Sequence, residues 1–321
     1  MSKTTVVIPN YNGIKYIDDC LSSLYQGSVV PEIIVVDNGS TDESPSLVRE
    51  KYGRARMICF EENTGFSKAV NVGIRAAETE YVLLLNNDTV ADARMVEEME
   101  KALEGDELAF SAGAKMINLH RPELLDGAGD FYTALGWAFA RGKDKDVNAC
   151  NKPGRVFSAC AGAALYRREL FEKTGFFDEN HFAYLEDIDI GYRANICGYH
   201  NIYVPGAKVR HAGSAASGSR HNAFKVRLSA RNSIYLIYKN MPPVQILINL
   251  PFLLAGYAVK TFYFLLKGLG GSYLQGLFAG IKLCGTEEGR RHRVRFKARY
   301  LKNYAWIQGQ LWVNIFKLYF L

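Results

Sequence analysis

The sequence predicts an α/β fold with a mostly parallel central sheet, followed by a helical, basic C-terminal extension. Two observations carry the fold class and a third separates the extension. Through the first hundred residues, short β-branched runs alternate with helical stretches. The segments NGSTDES (38–44) and NNDTVAD (86–92) each follow such a run directly, with Asp, Ser or Thr where a helix would begin. Charge is also split along the chain. Met1 to Pro205 carries 21 Lys and Arg against 31 Asp and Glu, a net −10, whereas Gly206 to Leu321 carries 18 against 2, a net +16.

Taken in order, TTVVIP (4–9), EIIVVD (32–37), ARMICF (55–60) and YVLLLN (81–86) read as strands. Residues 14–26, 43–51, 66–78 and 92–104 read as helices between or after them, a β-α-β series that builds a parallel sheet. Its loops 38–44 and 86–92 then lie on the carboxyl edge, where open α/β folds bind ligands. From about 108 to 211 the pattern is mixed: strand-like LAFSAGAKMI, a Gly-rich stretch over 127–142, and LEDIDIGYRANICGY, which fits a helix opening with acids and ending at Gly198. At 321 residues, 48% hydrophobic and 22% charged, the chain suits one large folded domain or a domain with an appendage. Its six cysteines show neither C-x-x-C nor zinc-like spacing, so reduced, mostly buried thiols are expected. The short apolar run before Pro9 lacks the form of a signal peptide, which points to the cytosol.

The acids at the loop edges each have a structural reading and a chemical one. Asp37 can cap the turn after its strand, Asp88 can cap the following helix, and Glu186-Asp187 can be first-turn acids favoured by the helix dipole. Their common location favours chemistry, because one sheet can bring all of these loop edges into a single cleft. Asp189 and Arg193, four apart on one helix, read as a structural pair.

The ordered set VVIPNYNG (6–13), VVDNGSTDES (35–44), NTGFSKAVNVGI (63–74), LLLNNDT (83–89), CAGAALYRRELFEKTGFFDENHFAYLEDIDIGYRA (160–194) and HAGS (211–214) resembles the family 2 glycosyltransferases of the GT-A fold. ARNSIYLIYKNMP (230–242) is similar to the segment after the catalytic domain in bacterial rhamnosyltransferases of cell-surface polysaccharides. The resemblance implies a GT-A catalytic domain over 1–215, with nucleotide-sugar binding over about 1–105 and acceptor binding over about 106–215. A helical, basic region over 216–321 would follow.

By the same resemblance, Pro9, Asn10, Tyr11 and Asp37 hold the base and ribose of the donor, and Lys68 stands near its diphosphate. Asp88 corresponds to the metal-binding aspartate that ends the family's D-x-D motif, with Asn86 in the first position, and His211 completes the site for Mg or Mn. Asp187 corresponds to the general base of the inverting enzymes, with Glu186 as the neighbour whose charge would raise its pKa. Trp137 has two readings, stacking on a sugar or filling core.

The implied reaction is transfer of L-rhamnose from dTDP-rhamnose to a lipid-linked saccharide, at the cytoplasmic face of the membrane. Donor alternatives within the fold are a UDP-hexose or UDP-galactofuranose. A non-catalytic nucleotide-sugar-binding or scaffold protein is the non-enzyme alternative, and a binder has no need of both Asp88 and Asp187. A nicotinamide enzyme is disfavoured, since PNYNG stands where G-x-G-x-x-G would follow the first strand.

Residues 244–266 are long enough to span a bilayer, with Pro251 expected to kink or divide the helix. Gln245, Asn249, Gly256, Lys260 and Lys267 nevertheless fall in one narrow helical sector. That stripe, with the basic, aromatic GRRHRVRFKARYLKNY after it, fits a helix lying on an anionic membrane surface. Nucleic acid would leave the apolar residues without a role, and packing on the catalytic body or in a homo-oligomer is the other reading.

Overall fold

The computed structural model describes residues 2–213 and 222–320. Ser214 of the HAGS motif and the 215/216 boundary lie outside the described residues. The strands are β1 (Thr4–Asn10), β2 (Glu32–Asn38), β3 (Arg56–Phe60), β4 (Tyr81–Leu85), β5 (Thr89–Ala91), β6 (Ala109–Asn118), β7 (Leu125–Gly127), β8 (Asp130–Tyr132), β9 (Ala138–Ala140), β10 (Gly154–Val156), β11 (Ala163–Arg167) and β12 (His200–His211). The helices are α1 (Ile17–Tyr25), α2 (Ser44–Lys51), α3 (Phe66–Ala76), α4 (Met95–Glu104), α5 (Phe171–Thr174), α6 (Glu186–Cys197), α7 (Ala223–Asn240), α8 (Pro243–Leu266), α9 (Gly270–Gly285), α10 (Glu287–Arg291) and α11 (Leu301–Phe320).

The main sheet runs β10-β12-β6-β11-β4-β1-β2-β3, with β5 paired to β12 and β7 to β6. β1, β2, β3 and β4 pair in parallel, while β11 inserts antiparallel between β4 and β6. The apolar runs form buried strands because both sheet faces are covered. Val6, Ile8, Leu83 and Leu85 pack against α1 and α4, whereas Val7, Leu84 and Val36 pack against α3 and α5. Polar side chains therefore collect past the strand ends.

The C-terminal helices share a core with the body. Leu236, Leu253, Ile307 and Leu311 lie in one cluster with Phe131, Tyr132 and Tyr192. α7 is also tied down by charge: the Lys239 Nζ lies 2.7 Å from Asp178 and 2.8 Å from Asp189, which in turn pairs with Arg193 at 2.7 Å. Removing one member of such a buried network strands the others, at a cost of about 3–5 kcal/mol. α9 lies close to α7 because of two glycines, since a Cβ on Gly276 or Gly280 would run into the backbone oxygen of Arg227 or Arg231.

α8 is one helix of 24 residues, and Pro251 does not divide it. Its polar stripe does not face water. Gln245, Asn249 and Gly256 are buried against the protein, Lys260 lies over the Trp137 ring, and only Lys267 is exposed. The Tyr192 hydroxyl donates to Gln245 at 2.7 Å, and Gln308 and Trp312 donate to Asn249 at 2.7 and 3.1 Å. Periodicity identified the stripe; these partners turn it inward, because buried polar groups are retained only where hydrogen bonds satisfy them.

Candidate active site

The carboxyl ends of β1, β2 and β4 open onto a cavity of about 1120 Å³, closed on the far side by residues 182–188 and the start of α7. Pro9, Asn10 and Tyr11 line one wall. Asn10 is held by a side-chain network: its amide donates to Asp37 at 2.9 Å and to Ser44 at 2.8 Å, while Asn87 donates to its oxygen at 2.8 Å. Asp37 is buried behind that wall, where it also accepts from the Ser40 backbone N–H at 3.2 Å. It thus positions Asn10 and the 38–44 loop from beneath. Lys68 stands away from the cavity, exposed on α3 with its ammonium over the Phe60 ring. Its helix turns it outward while Ser67 and Ala69 turn in.

Beside that wall, at the end of the neighbouring strand β4, stand Asn86 and Asp88. His211 reaches them because β5 pairs antiparallel with β12, placing Thr89 opposite His211. The His211 Nε2 lies 3.2 Å from an Asp88 oxygen and 3.5 Å from the Asn86 amide nitrogen. Burial alone would push this imidazole down, yet Asp126 and Asp88 outweigh it and raise its pKa to about 9. The set fits a divalent cation. Adjacent ligands of an octahedral ion with bonds near 2.1 Å stand about 3 Å apart, close to the Asp88–His211 spacing, and carboxylate, imidazole and amide oxygen are suitable donors.

Asp126, which the sequence reading did not single out, completes this corner. Its carboxylate accepts from His211 Nδ1 at 2.8 Å and pairs with Lys143 at 2.5 Å. Although burial opposes it, His211 and Lys143 hold the Asp126 carboxyl well below the usual carboxylate range. A carboxylate on Nδ1 fixes the ring and would leave Nε2 to meet a cation. Asp126→Asn should therefore weaken Mn²⁺ binding about 10- to 100-fold in calorimetric titration, with metal-free nucleotide binding unchanged. Equal Mn²⁺ affinity in the variant would show that Asp126 does not orient the histidine.

Asp187 lines the same cavity in the first turn of α6, with its carboxylate accepting from the Ile188 N–H at 2.7 Å. Burial raises its pKa to about 6 against the lowering effect of backbone N–H groups. The expected influence of Glu186 runs the other way. Burial and then the Asp187 charge push Glu186 up to about 8, and one of its oxygens is buried without a partner. Facing Asp187 from β8 is Asp130, with Cys160 beside it, each offering an atom within 4.8 Å of the others. Burial and then the Asp187 charge drive the Asp130 carboxyl well above its ordinary range.

The loop before Asp187 is strained. Phe182, Tyr184 and Leu185 all have positive φ, at 61°, 71° and 67°. Asn232 on α7 holds it there, donating to the carbonyls of His181, Ala183 and Tyr184 at 2.8–2.9 Å, while Arg231 donates to His181 at 3.0 Å. Strain of this kind persists only where its surroundings over-determine it, and it concentrates at functional sites. Ala138, Phe139 and Ala140 of the Gly-rich segment line the cavity; Trp137 instead donates to the Gly256 carbonyl at 3.1 Å and anchors α8.

The chain is similar to known proteins in sequence and in fold. A family profile described as "Glycosyl transferase family 2" matches residues 5–175, more than half of the chain. An N-acetylglucosaminyl-diphospho-decaprenol L-rhamnosyltransferase of Mycobacterium tuberculosis is 25% identical over 239 residues, covering 66% of this chain and 77% of its own. Among solved structures, a mannosyltransferase from Pyrobaculum calidifontis in complex with GDP-Man and Mn²⁺ superposes with TM-score 0.55 at 18% identity, over 96% of this chain and 84% of that one. Staphylococcus aureus TarS residues 1–349, in complex with UDP-GlcNAc, gives 0.54 at 15% identity over 98% and 85%.

Proposed function

Because the chain belongs to glycosyl transferase family 2, whose GT-A fold it has, we propose that it is an inverting, metal-dependent enzyme moving L-rhamnose from dTDP-rhamnose to a lipid-linked saccharide. One observation carries the mechanism: Asp187 and the Asp88–His211 pair line the same cavity. The donor lies with its nucleoside along Pro9, Asn10 and Tyr11 and its diphosphate toward Asp88, Asn86 and His211. A cation held there by Asp88 and His211 would neutralise charge on the departing diphosphate.

Asp187 holds the acceptor hydroxyl and takes its proton. The acceptor oxygen bonds to the anomeric carbon as the carbon–oxygen bond to the diphosphate breaks, so a single displacement inverts the configuration. The Asn232 clamp holds the loop that ends at this base, and near-attack geometry is sensitive to displacements of about 1 Å.

The choice of rhamnose and of a lipid-linked acceptor rests on the mycobacterial relative, whose name carries both. The decisive experiment is a panel of nucleotide sugars, scored for thermal stabilisation with and without Mn²⁺ and for transfer to a polyprenyl-diphospho-sugar acceptor. dTDP-rhamnose should give the largest shift in Tm, since at equal concentration a ligand that binds only the native state stabilises it by an amount that grows with the logarithm of its affinity. A larger shift with a UDP-hexose or UDP-galactofuranose would replace the donor assignment.

A further inference from the structure

In the helical layer of α8, α9 and α11, Gln245, Asn249, Tyr273 and Asn314 face the protein, whereas Leu247, Leu254, Phe262, Leu266, Phe278 and Phe316 on its outer side are 63–73% exposed. α8 alone extends about 36 Å at 1.5 Å per residue. An apolar face of that size on a folded protein marks an interaction surface.

From this geometry we infer that the outer face of α8, α9 and α11 is a docking surface for an anionic lipid bilayer, in which the protein sits without crossing. Charge complementarity selects the occupant. Next to the start of α8, Arg290, Arg293 and Arg295 line a cavity of about 410 Å³ with Pro242, Pro243 and Phe296. Among the described residues, none of these three arginines is ion-paired with a carboxylate. Arg293 stacks on Tyr238 and Arg290 donates to the Gly285 carbonyl, so guanidinium groups remain for phosphate. A second copy of the chain would bring together two basic regions, each carrying the +16 of Gly206 to Leu321. Phosphate headgroups would instead neutralise them. Trp306 and Trp312, 38% and 42% exposed on α11, suit the headgroup boundary.

Contacts along α8 weigh against the spanning alternative, although the helix is long and apolar enough to cross a bilayer. Gln245 near its start bonds to Tyr192, Gly256 receives the Trp137 indole N–H, and Lys260 near its end lies over the same indole ring. A Cβ at Gly256 would collide with the Leu135 carbonyl oxygen, so helix and body touch backbone to backbone. One side of the helix therefore lies against the catalytic body between Gln245 and Lys260, and a crossing would have to give up these contacts.

The test uses the full chain and vesicles of phosphatidylcholine alone or mixed with phosphatidylglycerol, with no sugar donor present. It thus stands or falls independently of the proposed reaction. Sedimentation should show binding to the mixed vesicles that weakens with salt. Replacing Arg290, Arg293 and Arg295 with glutamine should lower the partition coefficient on the order of 100-fold, about fivefold per residue. Leu247→Glu with Phe278→Glu, both in outward positions, should weaken binding to either vesicle while circular dichroism stays unchanged. Partition unaffected by both sets would overturn the inference. So would wild-type dimers that the glutamate variant converts to monomers, or protein that resists both high salt and alkaline carbonate, which marks a spanning helix.

Discussion

Asp187→Asn is expected to bind nucleotide sugar with near-normal affinity and to transfer it about 100-fold or more slowly, because the amide can orient the acceptor but cannot take its proton. The pH profile supplies the second reading. The wild-type base works only when ionised, and its pKa is raised to about 6, chiefly by burial. Transfer should therefore rise with pH up to about 6 and level off above it, and this acid limb should vanish in Asp187→Asn. Glu186→Gln should keep the limb, since the burial of Asp187 remains. Asp130→Asn should shift it, because Asp130 faces Asp187 across the cavity and the two carboxyls act on each other's charge. A product of retained anomeric configuration, or an unaltered acid limb in Asp187→Asn, would remove Asp187 from the role of base.

Asp88→Ala should abolish transfer, by on the order of 10³-fold, and remove the metal-dependent part of nucleotide binding while sparing the metal-free part. Asp88 is 6% exposed, and its side chain faces His211 with no other ion-pair partner among the described residues. The fold should tolerate the change, since His211 keeps Asp126 on its other nitrogen. Calorimetry of nucleotide diphosphate with and without Mn²⁺ separates the two components. Wild-type activity that survives a chelator, or full activity of the variant, would refute a metal role for Asp88.

These two effects rest on residues that sequence alone brings out, whereas Asp126, Asp130 and Asn232 were not legible there. Asp88 follows a buried apolar strand, where a carboxylate is conspicuous against its neighbours. Asp126 and Asp130 lie in a Gly-rich segment of short strands with no periodicity to set their direction. Asp126 becomes an orienting group only because β12 brings His211 back to it across 85 positions of sequence. Asn232 reads as an ordinary polar residue on α7, and its meaning comes from three carbonyls of a loop about 50 residues upstream.

By itself the sequence determined the order of β1 to β4 and their helices, the polar ends of those strands, and the apolar length and polar stripe of α8. These follow from local patterns, in which burial of one face imposes a period on neighbouring residues. Only the tertiary structure decided what each face meets. Lys68, on a helix beside the nucleotide wall, turns to solvent, and Asp37 lies beneath Asn10 rather than on the cavity surface. The stripe of Gln245, Asn249 and Gly256 turns inward because Tyr192, Gln308 and Trp137 supply its hydrogen bonds there. A period identifies the residues that share a face; the partner of that face is set by long-range contacts that no local pattern encodes.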